Sequence, residues 1–248
     1  MKRYFTLPTI GGVIGLLVIM MFCGCKADPA ASVGFADASV MKSDPAIPFN
    51  RSWSDPNVDR HRYDTIYVAE VNTSYMLKMT DWQQGERKAT IEEDIRKLAA
   101  YMRNSIIKAF REDPKHRFRV VDAPTHDSHT VEFEIALIEV VPSKVALNAL
   151  GYAPFFVGTS ISAVRTVAAD KSSAAFEARW RDSSTGRIVM LAADREAEQF
   201  APVDLRGLTW YSDVEGIIDD WSRQFVLIAN KKPDEKIAPS PTFRLLPW

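Results

Sequence analysis

Two clusters of side chains in this sequence have the types and spacing for chemistry. His126-Asp127-Ser128-His129 offers two imidazoles and a carboxylate in one short run, a donor set that zinc accepts. A structural zinc takes four ligands, and the run lies among turn residues between two expected strands, so it reads as a solvated loop. Asp194, Glu196 and Glu198 alternate along the chain and would project from one strand face, as the acids of a glycosidase or a calcium site must converge. Convergence needs partners from other segments. Arg179 and Arg181 on the preceding strand offer cross-strand ion pairs instead. His61 and His116 are isolated between basic neighbours and read as surface, and Asp219 with Asp220 as a solvated helix face. Gly158-Thr159-Ser160 lacks the flanks of a phosphate loop, and neither a G-x-S-x-G elbow nor a dinucleotide fingerprint occurs. The sequence thus predicts no catalytic residue, no metal ligand and no cofactor.

The N-terminus carries the clearest signal. Lys2 and Arg3 precede an apolar run from Ile10 to Phe22, the charged and apolar regions of an export signal. Spanning a bilayer core takes about 20 apolar residues, and this run gives way after Cys25 to Lys26, Asp28 and Pro29. At its end stands Phe22-Cys23-Gly24-Cys25, which resembles the lipobox of bacterial lipoproteins, where a small residue precedes a cysteine that receives a diacylglyceryl group. Gly24 with Cys25 fits. Cys23 is a rival acceptor, but it follows bulky Phe22. The resemblance implies a signal peptide over residues 1–24 and palmitate-type lipid on Cys25. Each buried methylene contributes about 0.8 kcal/mol, so several acyl chains hold a protein to a membrane almost permanently. In such lipoproteins an Asp after the cysteine retains the protein at the inner membrane. Lys26 at that position implies the outer membrane, periplasmic side.

A chain of 248 residues with 46% hydrophobic content suits one ordinary globular domain. Its net charge of −1 argues against nucleic acid as a partner. Both cysteines lie at the signal and lipid site, so the domain carries no thiol for a disulfide or a metal.

The domain must be positioned by elements that the pattern reveals. Residues 25–50, rich in Ala, Ser, Asp and Pro, read as a flexible tether. Phe49 to Pro56 reads as a docking loop. Residues 51–232 then form a single α/β domain, and 233–248 an irregular Pro-rich tail. Strands are expected at Tyr63 to Asn72, Phe118 to Asp122, Thr130 to Val141, Ala174 to Arg181 and Arg187 to Glu198, the last two joined through Asp182-Ser183-Ser184-Thr185-Gly186. Val131, Phe133, Ile135 and Leu137 share one face; Glu132 and Glu134 share the other. Ile91, Ile95, Leu98, Met102, Ile106 and Phe110 form the stripe of one long helix, opened by a Thr90-x-x-Glu93 capping box. Val214, Ile217, Ile218, Trp221, Phe225 and Ile228 form the stripe of another, opened by Ser212-x-x-Glu215, with Lys231 and Lys232 at its end. The prediction is a two-layer α/β sandwich: a mixed sheet of about five strands, two long helices on one face, the other face partly solvated. Lys144 to Gly151 reads as a short helix.

One further segment points to binding. From Gly151 to Ala169, Tyr152, Phe155, Phe156 and Val157 precede Ile161, Val164 and Val167 among small residues without a strand period. It reads either as packed loop or as a hydrophobic partner or oligomer contact anchored by Phe155 and Phe156.

Arg51 to Val58, Val71-Asn72-Thr73-Ser74-Tyr75, Val141 to Lys144 with Leu150 to Phe155, and Asp194 through Tyr211 together resemble an uncharacterised bacterial lipoprotein family catalogued as a domain of unknown function. That resemblance covers nearly all of the chain after Cys25 and implies an envelope lipoprotein with no catalytic residues to carry over. The order of elements is also similar to small α/β domains of periplasmic assembly proteins such as the Tol-system translocation protein, a topological likeness only. The leading expectation is a non-catalytic binding or assembly module with a protein or envelope-polymer partner. Self-association and an envelope hydrolase using Asp194, Glu196 or the histidine pair are the alternatives.

Overall fold

The structure is a computed structural model that describes residues 27–77, 88–141, 172–197 and 211–240. Six strands form one mixed sheet: β1 (Arg51–Ser54), β2 (Thr65–Val68), β3 (Arg119–Val121), β4 (Thr130–Val141), β5 (Ser173–Asp182) and β6 (Ile188–Ala197), in the order β1-β6-β5-β4-β2-β3. β2 runs parallel to both β3 and β4, and the remaining pairs are antiparallel. The helices are α1 (Ser74–Leu77), α2 (Lys88–Arg111) and α3 (Ser212–Ala229). This is the expected α/β class with one strand more. The extra strand is β1, in the run read as a docking loop.

Alternation along β4 puts Val131, Phe133, Ile135 and Leu137 into the main core with the stripes of α2 and α3. The pairing with β5 slips between Leu137 and Glu139, a bulge that inserts one residue and returns Val140 to the same core. β5 contributes Ala174, Phe176, Ala178 and Trp180. Phe133 stacks on Trp180 with centroids 4.4 Å apart, and Phe225 of α3 meets Phe133 at 4.9 Å and Phe176 at 5.2 Å. Truncating one such fully buried ring costs about 3–5 kcal/mol. Glu93 and Lys97 pair on the wet side of α2 at 2.8 Å.

Three expectations are corrected. The segment 25–50 is not a flexible tether from Ala27 onward but a strap laid across the second sheet face. Ala30 and Phe35 pack on Ala136, Ile138 and Ala175, while Ala36, Ala38 and Met41 pack with Leu191. The strap covers part of that face, which stays partly solvated at Glu134, Arg179 and Arg181, 22%, 30% and 27% exposed. The tail is ordered over its first part: Ile237 is buried and its N–H donates to the Ala46 carbonyl at 3.2 Å. Finally, the capping boxes are not the caps. Thr90 sits inside α2, and the residue before α3 is Tyr211, which makes no side-chain cap bond.

Candidate partner-binding site

The residues with catalytic potential are engaged in structural work. His126 has φ 54°, a turn conformation, and Asp127 accepts from Thr130 Oγ1 at 3.0 Å and from the His129 N–H at 2.8 Å. His129 Nδ1 lies 3.0 Å from the Arg62 carbonyl. No group of three potential metal ligands occurs among the described residues. Asp194 and Glu196 do share a strand face, but it is the helix face, so the expected ion pairs with Arg179 and Arg181 do not form. Those arginines pair with Glu134 on the opposite face. Asp194 instead accepts from the Trp221 indole at 3.0 Å and the Asn50 N–H at 2.8 Å. Glu196 accepts from Ser240 Oγ at 3.0 Å. Asp219 likewise accepts from Tyr101 and Ser105, each at 3.0 Å, and is not a solvated face. Burial, then this carboxylate, push the Tyr101 phenol up to about 12.

Asp182 closes the β5–β6 turn. One oxygen accepts four bonds from the backbone and hydroxyls of Ser184 and Thr185. The other accepts from Tyr63 Oη at 2.9 Å. Burial pushes its carboxyl up, but these hydrogen bonds outweigh it and hold it at about 2.

Beside Tyr63 opens a pocket of about 70 Å³. Val131, Trp180, Met190, Phe225 and Ile228 give it apolar walls, and Arg60, His61, Arg117 and Lys231 stand around it. Among the described residues, no Asp or Glu lines it. Arg117 is fixed there by the fold: its backbone N–H donates to buried Asp113 at 3.0 Å and its guanidinium to the Tyr63 and Arg60 carbonyls. Asp113 also accepts from Asn230 at 2.9 Å, tying the loop after α2 to the end of α3. Lys231 Nζ donates to the carbonyls of Lys232 and Pro233. Arg117 and Lys231 thus bond to carbonyls, while Asp59 and Asp64 act on Arg117 from nearby.

Cys25, Phe155, Phe156, Glu198 and the short helix expected from Lys144 lie outside the described residues. The cationic pocket was missed because its members come from segments far apart in sequence; the one local signal is the basic run Arg60-His61-Arg62.

The family model of DUF3313, a protein of unknown function, matches residues 33–225, and the chain belongs to that family. No curated protein matches it. Among solved structures, a dodecamer of a PelC variant from Paraburkholderia phytofirmans is similar at 12% identity and TM-score 0.37, over 73% of this chain and 98% of that one. The lipoprotein GNA1162 from Neisseria meningitidis is similar at 14% identity and TM-score 0.23, over 68% of this chain and 99% of that one. Neither score reaches the level at which a shared fold is established.

Proposed function

We propose that this DUF3313 member is a non-catalytic lipoprotein of the bacterial outer membrane, anchored on the periplasmic side through lipid on Cys25, that binds a protein or envelope-polymer partner. The observation that carries the binding part is the division of labour among its polar residues. The acids and imidazoles with catalytic potential hold turns, the edge strand and helices in place. The pocket is lined instead by apolar side chains and by Arg60, Arg117 and Lys231, with no Asp or Glu among its described lining residues. That chemistry suits a partner that offers an apolar side chain beside acidic groups. The address is supported by the Lys2-Arg3 start, the apolar run and the Gly24-Cys25 junction. Among the described residues, no helix is long and apolar enough to cross a membrane, so the lipid supplies the attachment in this reading.

Intact mass and membrane fractionation of wild type against Cys25→Ala test the address. Lipid mass and outer-membrane recovery lost in the variant are the expected result; lipid absent from Cys25 in the wild type refutes it. Crosslinked envelopes test the pocket. The Arg60→Glu, Lys231→Glu double variant should lose adducts that the wild type forms reproducibly, and an unchanged adduct pattern removes the pocket from the reading.

A further inference from the structure

We propose that the end of the sheet where Ala27 meets Asn50 is a membrane-apposed surface, which seats the domain directly on phospholipid headgroups. The proposal rests on the reading of Cys25 as the lipid-bearing residue and adds where the bilayer lies relative to the fold.

The strap decides the geometry. Asn50 Nδ2 donates to the Ala27 carbonyl at 3.3 Å, and from Ser32 onward the strap is bound across β5. Only two peptide links separate Cys25 from Ala27, a reach of about 7 Å at full extension. A free coil over residues 25–50 would have let the domain wander about 25–30 Å from the anchor. With the strap docked, that reach is gone.

Register fixes which end faces the lipid. The Asn50 N–H donates to Asp194 at 2.8 Å and its side chain accepts from the Arg195 N–H at 2.7 Å. Two residues on, Ala197 pairs with Ser173, and Ser173 with Val141, so β4 and β6 finish and β5 starts at the anchor end. The β5–β6 turn and His126 to His129 lie at the other end, one strand length away. The 10 residues of β6 make that about 30 Å.

The processed lipoprotein can report this directly. With Cys25 acylated and Cys23 removed, an engineered cysteine is the only free thiol. Ser43→Cys marks the anchor end and Ser128→Cys the far end; both positions are exposed. Each is labelled with a fluorophore in vesicles of phosphatidylethanolamine and phosphatidylglycerol that contain headgroup-nitroxide lipid. Quenching several-fold stronger at Ser43→Cys than at Ser128→Cys is expected. A long Gly/Ser linker inserted after Cys25 should make the two alike. Lipidated protein whose labels are quenched equally without the linker, or more strongly at Ser128→Cys, overturns the apposition while leaving the anchor intact. Intact mass showing no lipid on Cys25 overturns the underlying reading, and the apposition with it.

Discussion

Removing the Glu177 carboxylate should release the strap. This side chain is 1% exposed and accepts three bonds from the segment that crosses it. They come from Ser32 Oγ at 2.7 Å, the Val33 N–H at 3.0 Å and the Ala36 N–H at 2.8 Å. Hydrogen bonds to a charged group contribute about 1.5–3 kcal/mol each. Glu177→Ala deletes all three, but water can enter the space left and solvate the donors, so the net loss should be about 3–5 kcal/mol rather than the sum. In the strap's first half the remaining contacts are smaller: Ala30 and Ala36 bury little area, and Phe35 meets Tyr75 edge-on at 6.2 Å with Arg179 over its ring at 4.3 Å, whereas Met41 packed on Leu191 and the Lys42–Ser52 backbone pair keep the second half in place. Hydrogen exchange followed residue by residue is the assay. The amides of Val33 and Ala36 should lose about two to three orders of magnitude of protection, while Ile135 and Phe176 in the sheet centre change far less. Glu177→Gln, which keeps one acceptor oxygen, should fall between. Unaltered protection at Val33 and Ala36 in Glu177→Ala would refute the reasoning, because the carboxylate would then not be what holds them.

Two stability predictions follow from the same hydrogen-bond geometry. Asp182 titrates at about 2 in the folded state, below the usual unfolded value of about 3.9. Its contribution, about 2 kcal/mol, is present above that unfolded value and lost as pH falls through about 2; Asp182→Asn should therefore be less stable near neutrality and flatter in an acid unfolding series, and parallel curves would contradict this. Trp221→Phe keeps most of the ring volume but leaves Asp194 without its indole donor, so the urea midpoint should drop by about 1.5–3 kcal/mol equivalent at an unchanged slope; a midpoint within error of wild type would show that the bond adds nothing.

How much of this was legible in the sequence depends on whether the holding forces leave a periodic trace. β4 and β5 do: Val131 to Leu137 and Ala174 to Trp180 alternate as half-buried strands must, and the stripe from Ile91 to Phe110 has helical spacing. β1 does not, because four residues among Ser, Asn and Asp give alternation no room to show. The strap does not either. It is held mainly by its backbone N–H groups and one hydroxyl on a carboxylate far along the chain, and backbone donors carry no sequence identity. At Asp194 and Glu196 the period-two rule rightly put both acids on one face. It could not say that the face belongs to Trp221, since the matching partner sits on a helix. The candidate pocket was hidden for a related reason: Arg60, Arg117 and Lys231 meet only after α2 and α3 are tied together through Asp113 and Asn230.

The strap also imposes an order on the making of the protein. Its binding carboxylate lies 141 to 145 residues downstream of the groups it receives. Closing so long a loop costs entropy that only the assembled sheet offsets. The N-terminal segment therefore has nothing to dock on until β5 has formed and found its neighbours. If Cys25 carries lipid as proposed, that interval is when it is open to the enzymes that acylate and cleave. Only afterwards does the fold draw in the slack, so that on the proposed reading a processing substrate becomes a fixed mount.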